Sequence, residues 1–333
     1  MKKRGVGIGC MWYGVGNTGL PNPSSAFVEW FADGSVNVLV GCADIGQGSD
    51  TVMAQIVSEE LGVPFDMVRV TSADTLVTPE GGATSASRQT YISGNAVRLA
   101  AKEAKINVVK EAALRLAVPE ESISFAEGYV VVDDKKTELT VKDIIGACRK
   151  KGILTLGHGW FNPETTGLDP ETGQGSPFGT YAFATQVVEI EVDTGTGKIE
   201  VTKVVAAHDV GKAINPLQVD GQIEGGSLMG MSLGVLEELN VENGRIKNPN
   251  FDSYLIPTAL DTPEIESIIV EDNEPSGPFG AKGVGEPALI PTAAAIANAV
   301  YDAIGVRIYS LPISPERVLA ALEELETVSQ EKQ

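Results

Sequence analysis

The chain has 333 residues, with 25 Lys and Arg against 45 Asp and Glu, giving a formal net charge of −20. That balance repels nucleic acid and anionic membrane surfaces, because affinity for a polyanion needs clustered basic side chains. The basic start, Met1-Lys-Lys-Arg, leads into glycine-rich sequence and no apolar run reaches about 18 residues, so a cytoplasmic protein without a leader or membrane span is expected.

Residues 26 to 40 alternate about Asp33-Gly34, the strongest short hairpin signal, and enter the glycine loop Gly41-Cys-Ala-Asp-Ile-Gly-Gln-Gly48. A helix follows over 50–61, with Ser49 or Asp50 expected as its N-cap and Gly62 as its stop. Next come a strand near 67–71, a second small-residue loop over 81–87 and a long helix over 94–116. The second half repeats the pattern. Two β-rich runs, 185–192 and 198–207, flank Asp193-Thr-Gly-Thr-Gly197 and enter the loop 208–216, and a helix beginning near Val219 carries Gly221-Gln-Ile-Glu-Gly-Gly226. Residues 151–180, rich in Gly, Pro and Thr, are expected to be a long connector. After Pro315 a charged amphipathic helix is expected to fray at its end. Hairpin, glycine loop and helix therefore occur twice. The chain reads as α+β, with two related subdomains, 1–150 and 151–333, facing one another across a cleft.

The cysteines, Cys10, Cys42 and Cys148, lie far apart without a C-x-x-C, so zinc and iron–sulfur sites cannot be assembled from this chain alone. The two histidines, His158 and His208, read as structural. The glycine loops 41–48, 81–87 and 221–226 each present backbone N–H groups and a polar side chain (Gln47, Ser87, Gln222) suited to a phosphate or pterin. Taken singly, each also reads as a tight turn. Gly14, Gly16 and Gly19 form a G-x-G-x-x-G, but Leu-Pro-Asn-Pro follows where a dinucleotide site needs a helix. There is no Walker A sequence. In Gly280-Ala-Lys-Gly-Val-Gly-Glu-Pro287, glycines admit a bulky ligand and Pro287 directs Glu286 away from the helical region. Two readings of Glu286 stay open: a general base, or a carboxylate on the N-terminal dipole of a helix over 291–304.

Four motifs in order, Gly46-Gln-Gly-Ser-Asp-Thr51, Thr84-Ser-Ala-Ser-Arg-Gln-Thr90 with Gly94-Asn-Ala-Val97, Gly221-Gln-Ile-Glu-Gly225 and Lys282-Gly-Val-Gly-Glu-Pro287, resemble one family. It is the molybdenum subunit of xanthine dehydrogenases and aldehyde oxidases, in its C-terminal half. The likeness runs from Lys3 to Pro315, and its start and length look most like the medium molybdopterin subunit of nicotinate dehydrogenases, where that polypeptide is split. The resemblance implies the C-terminal half of a xanthine dehydrogenase-type molybdenum cofactor-binding domain. It implies that Ile45, Gly46, Gln47, Ala86, Ser87, Gln89 and Gln222 contact molybdopterin and that Glu286 is the catalytic base. No side chain would ligate the metal, which is held through the pterin dithiolene.

The implied reaction inserts water-derived oxygen at an electron-poor C–H of an N-heteroaromatic, nicotinate first and xanthine or another purine second. The implied cofactor is molybdenum-molybdopterin in the cytosine dinucleotide form, with a terminal sulfido or selenido ligand. The implied partners are a large molybdopterin subunit, a subunit with a pair of 2Fe–2S clusters and a subunit with FAD. Tyr13, Asn17 and Thr18 are the substrate candidates, with an entry loop packed on the core as the other reading. Asn17 stands where the family's purine oxidases carry an aromatic before Thr, which weakens purine stacking. Two alternatives remain: an aldehyde or aromatic-ring oxidoreductase of the same superfamily, and a cofactor-holding scaffold without its own catalytic group. Glu286 argues against the scaffold.

Overall fold

The computed structural model describes residues 1–331. In chain order the elements are β1 (Lys2–Gly14), β2 (Ser24–Trp30), β3 (Val36–Val40), α1 (Ser49–Leu61), β4 (Val68–Ser72) and α2 (Gly94–Leu116), the last preceded by a π-helical turn, Gln89–Ser93. Then come β5 (Ile123–Ala126), β6 (Tyr129–Val132), β7 (Lys135–Thr140), α3 (Val141–Lys150), β8 (Leu156–Phe161), β9 (Tyr181–Asp193) and β10 (Ile199–Asp209). The chain continues through α4 (Pro216–Val235), β11 (Val241–Glu242), β12 (Arg245–Ile246) and β13 (Glu264–Val270). A 3-10 turn at Glu286–Ala288, α5 (Ile290–Ile304) and α6 (Pro315–Glu331) complete it. The fraying expected of the last residues falls partly on 332–333, outside the described residues.

Two four-stranded sheets carry the architecture, in the orders β4-β3-β2-β8 and β1-β9-β10-β13. Each has an antiparallel hairpin at its centre, β2-β3 in one and β9-β10 in the other. In each, the hairpin's second strand pairs in parallel with a later strand, β3 with β4 and β10 with β13. The first hairpin turns at Asp33, whose Oδ1 accepts the Ser35 N–H at 3.0 Å, with Gly34 at φ 88°. The sheets do not divide at residue 150. β1 pairs with β9 and β8 pairs with β2, so each sheet takes its outer antiparallel strand from the other side of that position.

Strand β8 lies inside the segment expected to be a connector. Its Gly157 and Gly159 alternate towards α2, and an added Cβ would stand 2.2 Å from the Ala100 carbonyl and 1.9 Å from that of Ala96. β1 is built the same way. Cβ atoms at Gly5, Gly7 and Gly9 would lie 2.1, 2.0 and 2.2 Å from the carbonyls of Ala299, Ala295 and Pro291 on α5. Glycine weakens a strand signal, yet here it lets an alanine-lined helix rest at backbone contact.

The inner faces form two main cores. Trp30, Ile56, Leu61, Ile144 and Ile145 lie in the first, and Val188, Ile190, Val204, Ile223, Ile296 and Val300 in the second. The three-stranded sheet β5-β6-β7 and α3 complete the first core and had no forecast in the sequence reading. The segment Glu286–Ile304 is long and apolar enough to cross a membrane by composition, and it contains α5, which packs on β1 and β9.

Two helix starts differ from expectation. α1 has no Ser49 or Asp50 cap. Gly48, at φ 83°, precedes it, and Asp44 accepts the N–H groups of Gly46, Gly48 and Asp50 at 2.8, 3.4 and 3.1 Å. Burial pushes the Asp44 carboxyl up, and these N–H groups outweigh that and hold it below its ordinary value. α4 starts at Pro216, ahead of Val219, because Asn215 caps it by accepting the Gln218 N–H at 3.2 Å and proline suits the first helical turn.

Candidate active site

Four segments converge on a cleft of about 300 Å³: the β3–α1 loop, the 81–88 loop, one face of α4, and residues 283–289. Among its walls are Ile45, Gln47, Ser87, Gln89, Gln222 and Glu286. Gly46 lies between two of these, at φ 106°.

The 81–88 loop is fixed by Arg88, which is 1% exposed. Its guanidinium donates to Asn22 Oδ1 and the Gly81 carbonyl, each at 2.5 Å, to Pro23 O at 2.8 Å, and to Ala83 O and Asn22 O, each at 3.1 Å. All five acceptors are neutral. Burial pulls this guanidinium's pKa down. Thr84 Oγ1 accepts the Ala43 N–H at 2.9 Å and Gln89 Nε2 at 3.0 Å, which ties the two glycine loops together. Ala86 and Ser87 both adopt left-handed backbone, φ 53° and 52°. Such residues cost about 1–3 kcal/mol each and persist only where neighbours enforce them. The neighbours are Gly16, whose N–H donates to Ala86 O at 2.9 Å, and Glu286.

Facing this loop, Lys282 and Asp209 form a buried ion pair of 2.6 Å with side chains 5% and 7% exposed, and the Lys282 N–H donates to Val210 O at 2.9 Å. Gly283 has no room for a side chain, since its Cβ would meet the Ser87 carbonyl. Glu286 opens the 3-10 turn, so Pro287 does not keep it out of helical backbone as expected. The turn is a single tight one whose Leu289 N–H closes on Glu286 O at 3.1 Å. Ser87 Oγ donates to Glu286 Oε2 and accepts the Glu286 N–H at 2.9 Å. Among the described residues no N–H of α5 donates to this carboxylate, so it is tied across the cleft and does not cap the helix.

The other candidates divide. At the end of β1, the Tyr13 phenol is pushed up by burial and further by the Glu286 carboxylate, while a hydrogen bond with Ser87 acts the other way; it belongs to the same cluster. Asn17 and Thr18 lie beyond Gly16, and neither they nor Tyr13 and Ala86 are among the cleft's lining residues. Gln47 uses its amide within its own loop, accepting the Ile45 N–H at 2.7 Å and donating to Ala43 O at 2.9 Å and Ser49 Oγ at 3.1 Å. Gln89 donates to Ala83 O and Thr84 Oγ1 and accepts from Ser93. Gln222 is half-buried, lines the cleft and has no protein hydrogen-bond partner among the described residues. Ile45, 80% exposed, stands at the mouth. His208 is buried, its Nδ1 has no partner among the described residues, and burial lowers its pKa to about 4, so it is neutral. Arg88 and Lys282 lie inside motifs that the sequence singles out, but the carbonyls and the carboxylate they anchor are brought to them only by folding.

The cleft offers a free amide, hydroxyls, loop backbone and one carboxylate, a donor set for a polar organic ligand with an acid–base group at its wall. Among the described residues no group of three or more His, Cys, Asp or Glu is placed to hold a metal ion directly. The family described as "Molybdopterin cofactor-binding domain" matches residues 1–263. The putative xanthine dehydrogenase molybdenum-binding subunit of Escherichia coli K12 is 36% identical over 95% of this chain and 42% of its own length. The aldehyde oxidoreductase of Megalodesulfovibrio gigas is 34% identical over 96% of this chain and 32% of its own. The crystal structure of quinoline 2-oxidoreductase from Pseudomonas putida 86 superposes with TM-score 0.86 and 29% identity, over 97% of this chain and 42% of that one. The chain therefore belongs to the molybdopterin cofactor-binding domain family, of the xanthine dehydrogenase and aldehyde oxidase type. It spans less than half the length of these relatives.

Proposed function

We propose that the chain is the C-terminal molybdopterin-holding part of a molybdenum hydroxylase, with Glu286 as its general base. The supporting observation is the Glu286 carboxylate, held by Ser87 at the wall of a cleft that is also lined by the Gln222 amide, which has no partner among the described residues. The donor set fits the cofactor. Gly46 and Gln47, the loop from Ala86 to Gln89, and Gln222 would hold it. When bound, the molybdenum cofactor supplies the centre that takes up electrons from the substrate.

Within this reading Glu286 accepts a proton and Ser87 holds the accepting oxygen in place. Tyr13, kept protonated by burial and by Glu286, offers a hydroxyl to a ring nitrogen or carboxylate. An N-heteroaromatic is the favoured substrate class, nicotinate first and xanthine second, in keeping with the xanthine and quinoline of two relatives' names. The cytosine dinucleotide form of the cofactor, and partner chains supplying the large molybdopterin half, the iron–sulfur clusters and the flavin, belong to the same proposal.

Glu286→Gln tests it in the co-expressed complex. Molybdenum content should be unchanged while dye reduction with nicotinate or xanthine falls by about 10²–10⁴-fold, the usual contribution of a general base. Near-normal turnover in the fully metallated variant overturns the assignment.

A further inference from the structure

The inward row of β9 is apolar from end to end, Ala182, Ala184, Val188, Ile190 and Val192, except at Gln186, which has no exposed surface. A buried amide without partners is costly, and this one is fully engaged. Nε2 donates to the Ala288 carbonyl at 2.8 Å and to Ser227 Oγ on α4 at 3.1 Å, and lies 3.1 Å from His208 Nε2 on β10. Oε1 accepts from Thr292 Oγ1 on α5 at 2.6 Å. The Ala288 carbonyl can only accept, which fixes the amide's orientation. One side chain thus joins β9 to the end of the turn that begins with Glu286 and to the first turn of α5.

The first sheet carries a counterpart. Ser24, on the first strand of that hairpin, is buried and meets Ser93 Oγ at 2.9 Å, and Ser93 donates to Gln89 Oε1. In both halves a buried polar residue of the hairpin's first strand reaches the turn that precedes the alanine-lined helix. In both, that turn bears a wall residue of the cleft, Gln89 in one and Glu286 in the other.

We propose that Gln186 is the positioning residue for Glu286: by clamping the Ala288 carbonyl and Thr292 from beneath, it sets the height at which the Glu286 turn meets Ser87. This rests on the reading of Glu286 as the base. Ser87 fixes the carboxylate from the 81–88 loop, so the base is held at two points, from that loop and from β9.

The test uses the co-expressed, cofactor-loaded complex with Gln186→Met, which keeps the volume and removes the hydrogen bonds, and the milder Thr292→Val. Gln186→Met should lower kcat by about ten- to a hundredfold, the range for a small misplacement of a catalytic group. KM should stay within about twofold and molybdenum content should not change. Thr292→Val should act in the same direction and less. Hydrogen exchange of peptides covering 283–292 should quicken in both variants, while those of α2 do not. In a Glu286→Gln background, Gln186→Met should cause no further loss, because it acts only through Glu286. Unchanged kcat with full metal content, or an equal loss in both backgrounds, overturns the inference. If Gln186→Met does not assemble, Thr292→Val decides by the same readouts. Normal turnover in Glu286→Gln overturns the underlying reading, whereas loss of turnover there with a normal Gln186→Met overturns only the role of Gln186.

Discussion

The sheet β4-β3-β2-β8 and the sheet β1-β9-β10-β13 follow one plan and end in different chemistry. Each seats an alanine-lined helix on an outer strand stripped of side chains by alternating glycines, α2 on β8 and α5 on β1. In the first, the turn before the helix is wound as a π-turn, and its neighbour Arg88 is bonded to five neutral oxygens. The wall amides there, Gln47 and Gln89, both bond within the protein. In the second, the turn carries a carboxylate, its anchor is an ion pair, and Gln222 on α4 bonds to no described protein group. On the reading proposed above, the first half is a cradle whose wall amides are held by the protein, and the second leaves one wall amide open to a ligand. A repeated scaffold can divide labour this way because the seating of the helix and the contents of the turn are set by separate residues.

The largest expected effect breaks the second half's anchor. Lys282→Met strands the buried Asp209 carboxylate and should cost about 3–5 kcal/mol in urea unfolding, the usual price of removing one partner of a buried pair. Lys282→Met with Asp209→Asn should recover most of it, and a double variant no more stable than the single would show that the charge is not the cause. His208 adds a pH term to the same half. Its folded pKa of about 4 lies below its ordinary 6.5. Between these values the unfolded chain binds a proton that the folded one refuses, so stability falls as pH falls through that window, by on the order of 3 kcal/mol. His208→Gln should remove that part of the acid loss. Identical melting temperatures against pH for the two proteins between 7 and 4 would refute it.

The helix seats should fail alike. Gly7→Ala in β1 and Gly159→Ala in β8 put a Cβ 2.0 and 1.9 Å from a helix carbonyl, and each should cost about 1–3 kcal/mol or more by overpacking. Gly146→Ala in α3, where nothing lies within 4 Å, should instead stabilise by up to about 1 kcal/mol. Loss at only one of the two seats would mean the halves are not built to the same tolerance.

These features differ in how well the sequence announces them. Both hairpins, the bounds of α2 and the repeat of hairpin, loop and helix follow from alternation and glycine stops. β1 and β8 do not, because glycines at every second position remove the β-branched residues by which strands are known. The spacing Gly5, Gly7, Gly9 was the available signal, together with alanines four apart at 295, 299 and 303. The crossing of β1 and β8 between sheets is a long-range pairing that no local pattern encodes. At the site, loop motifs pointed to Gln47, Ser87, Gln222 and Glu286 as a set, but which amides are already engaged depends on backbone atoms brought together by folding. Gln186 had a faint signature, one amide in an otherwise apolar alternating row.

The smallest expected effect separates two glutamines that the sequence treats alike. Gln47 makes three hydrogen bonds inside its loop, two of them to backbone at 2.7 and 2.9 Å, so Gln47→Ala should lower stability by about 1–3 kcal/mol even in cofactor-free protein. Gln222 bonds to no described protein group, so Gln222→Ala should change stability by less than about 0.5 kcal/mol. Both should lower the molybdenum content of the co-expressed complex, Gln47 by loosening the wall and Gln222 by withdrawing a direct hydrogen bond. Denaturant midpoints of the cofactor-free protein and metal content of the complex, measured on each variant, distinguish these routes. A drop in metal at constant midpoint marks Gln222 as a ligand contact, and a drop in both marks Gln47 as scaffold. The opposite pattern, with Gln47→Ala as stable as the parent and Gln222→Ala destabilised, would place the free amide in the cradle half and reverse the division of labour between the sheets.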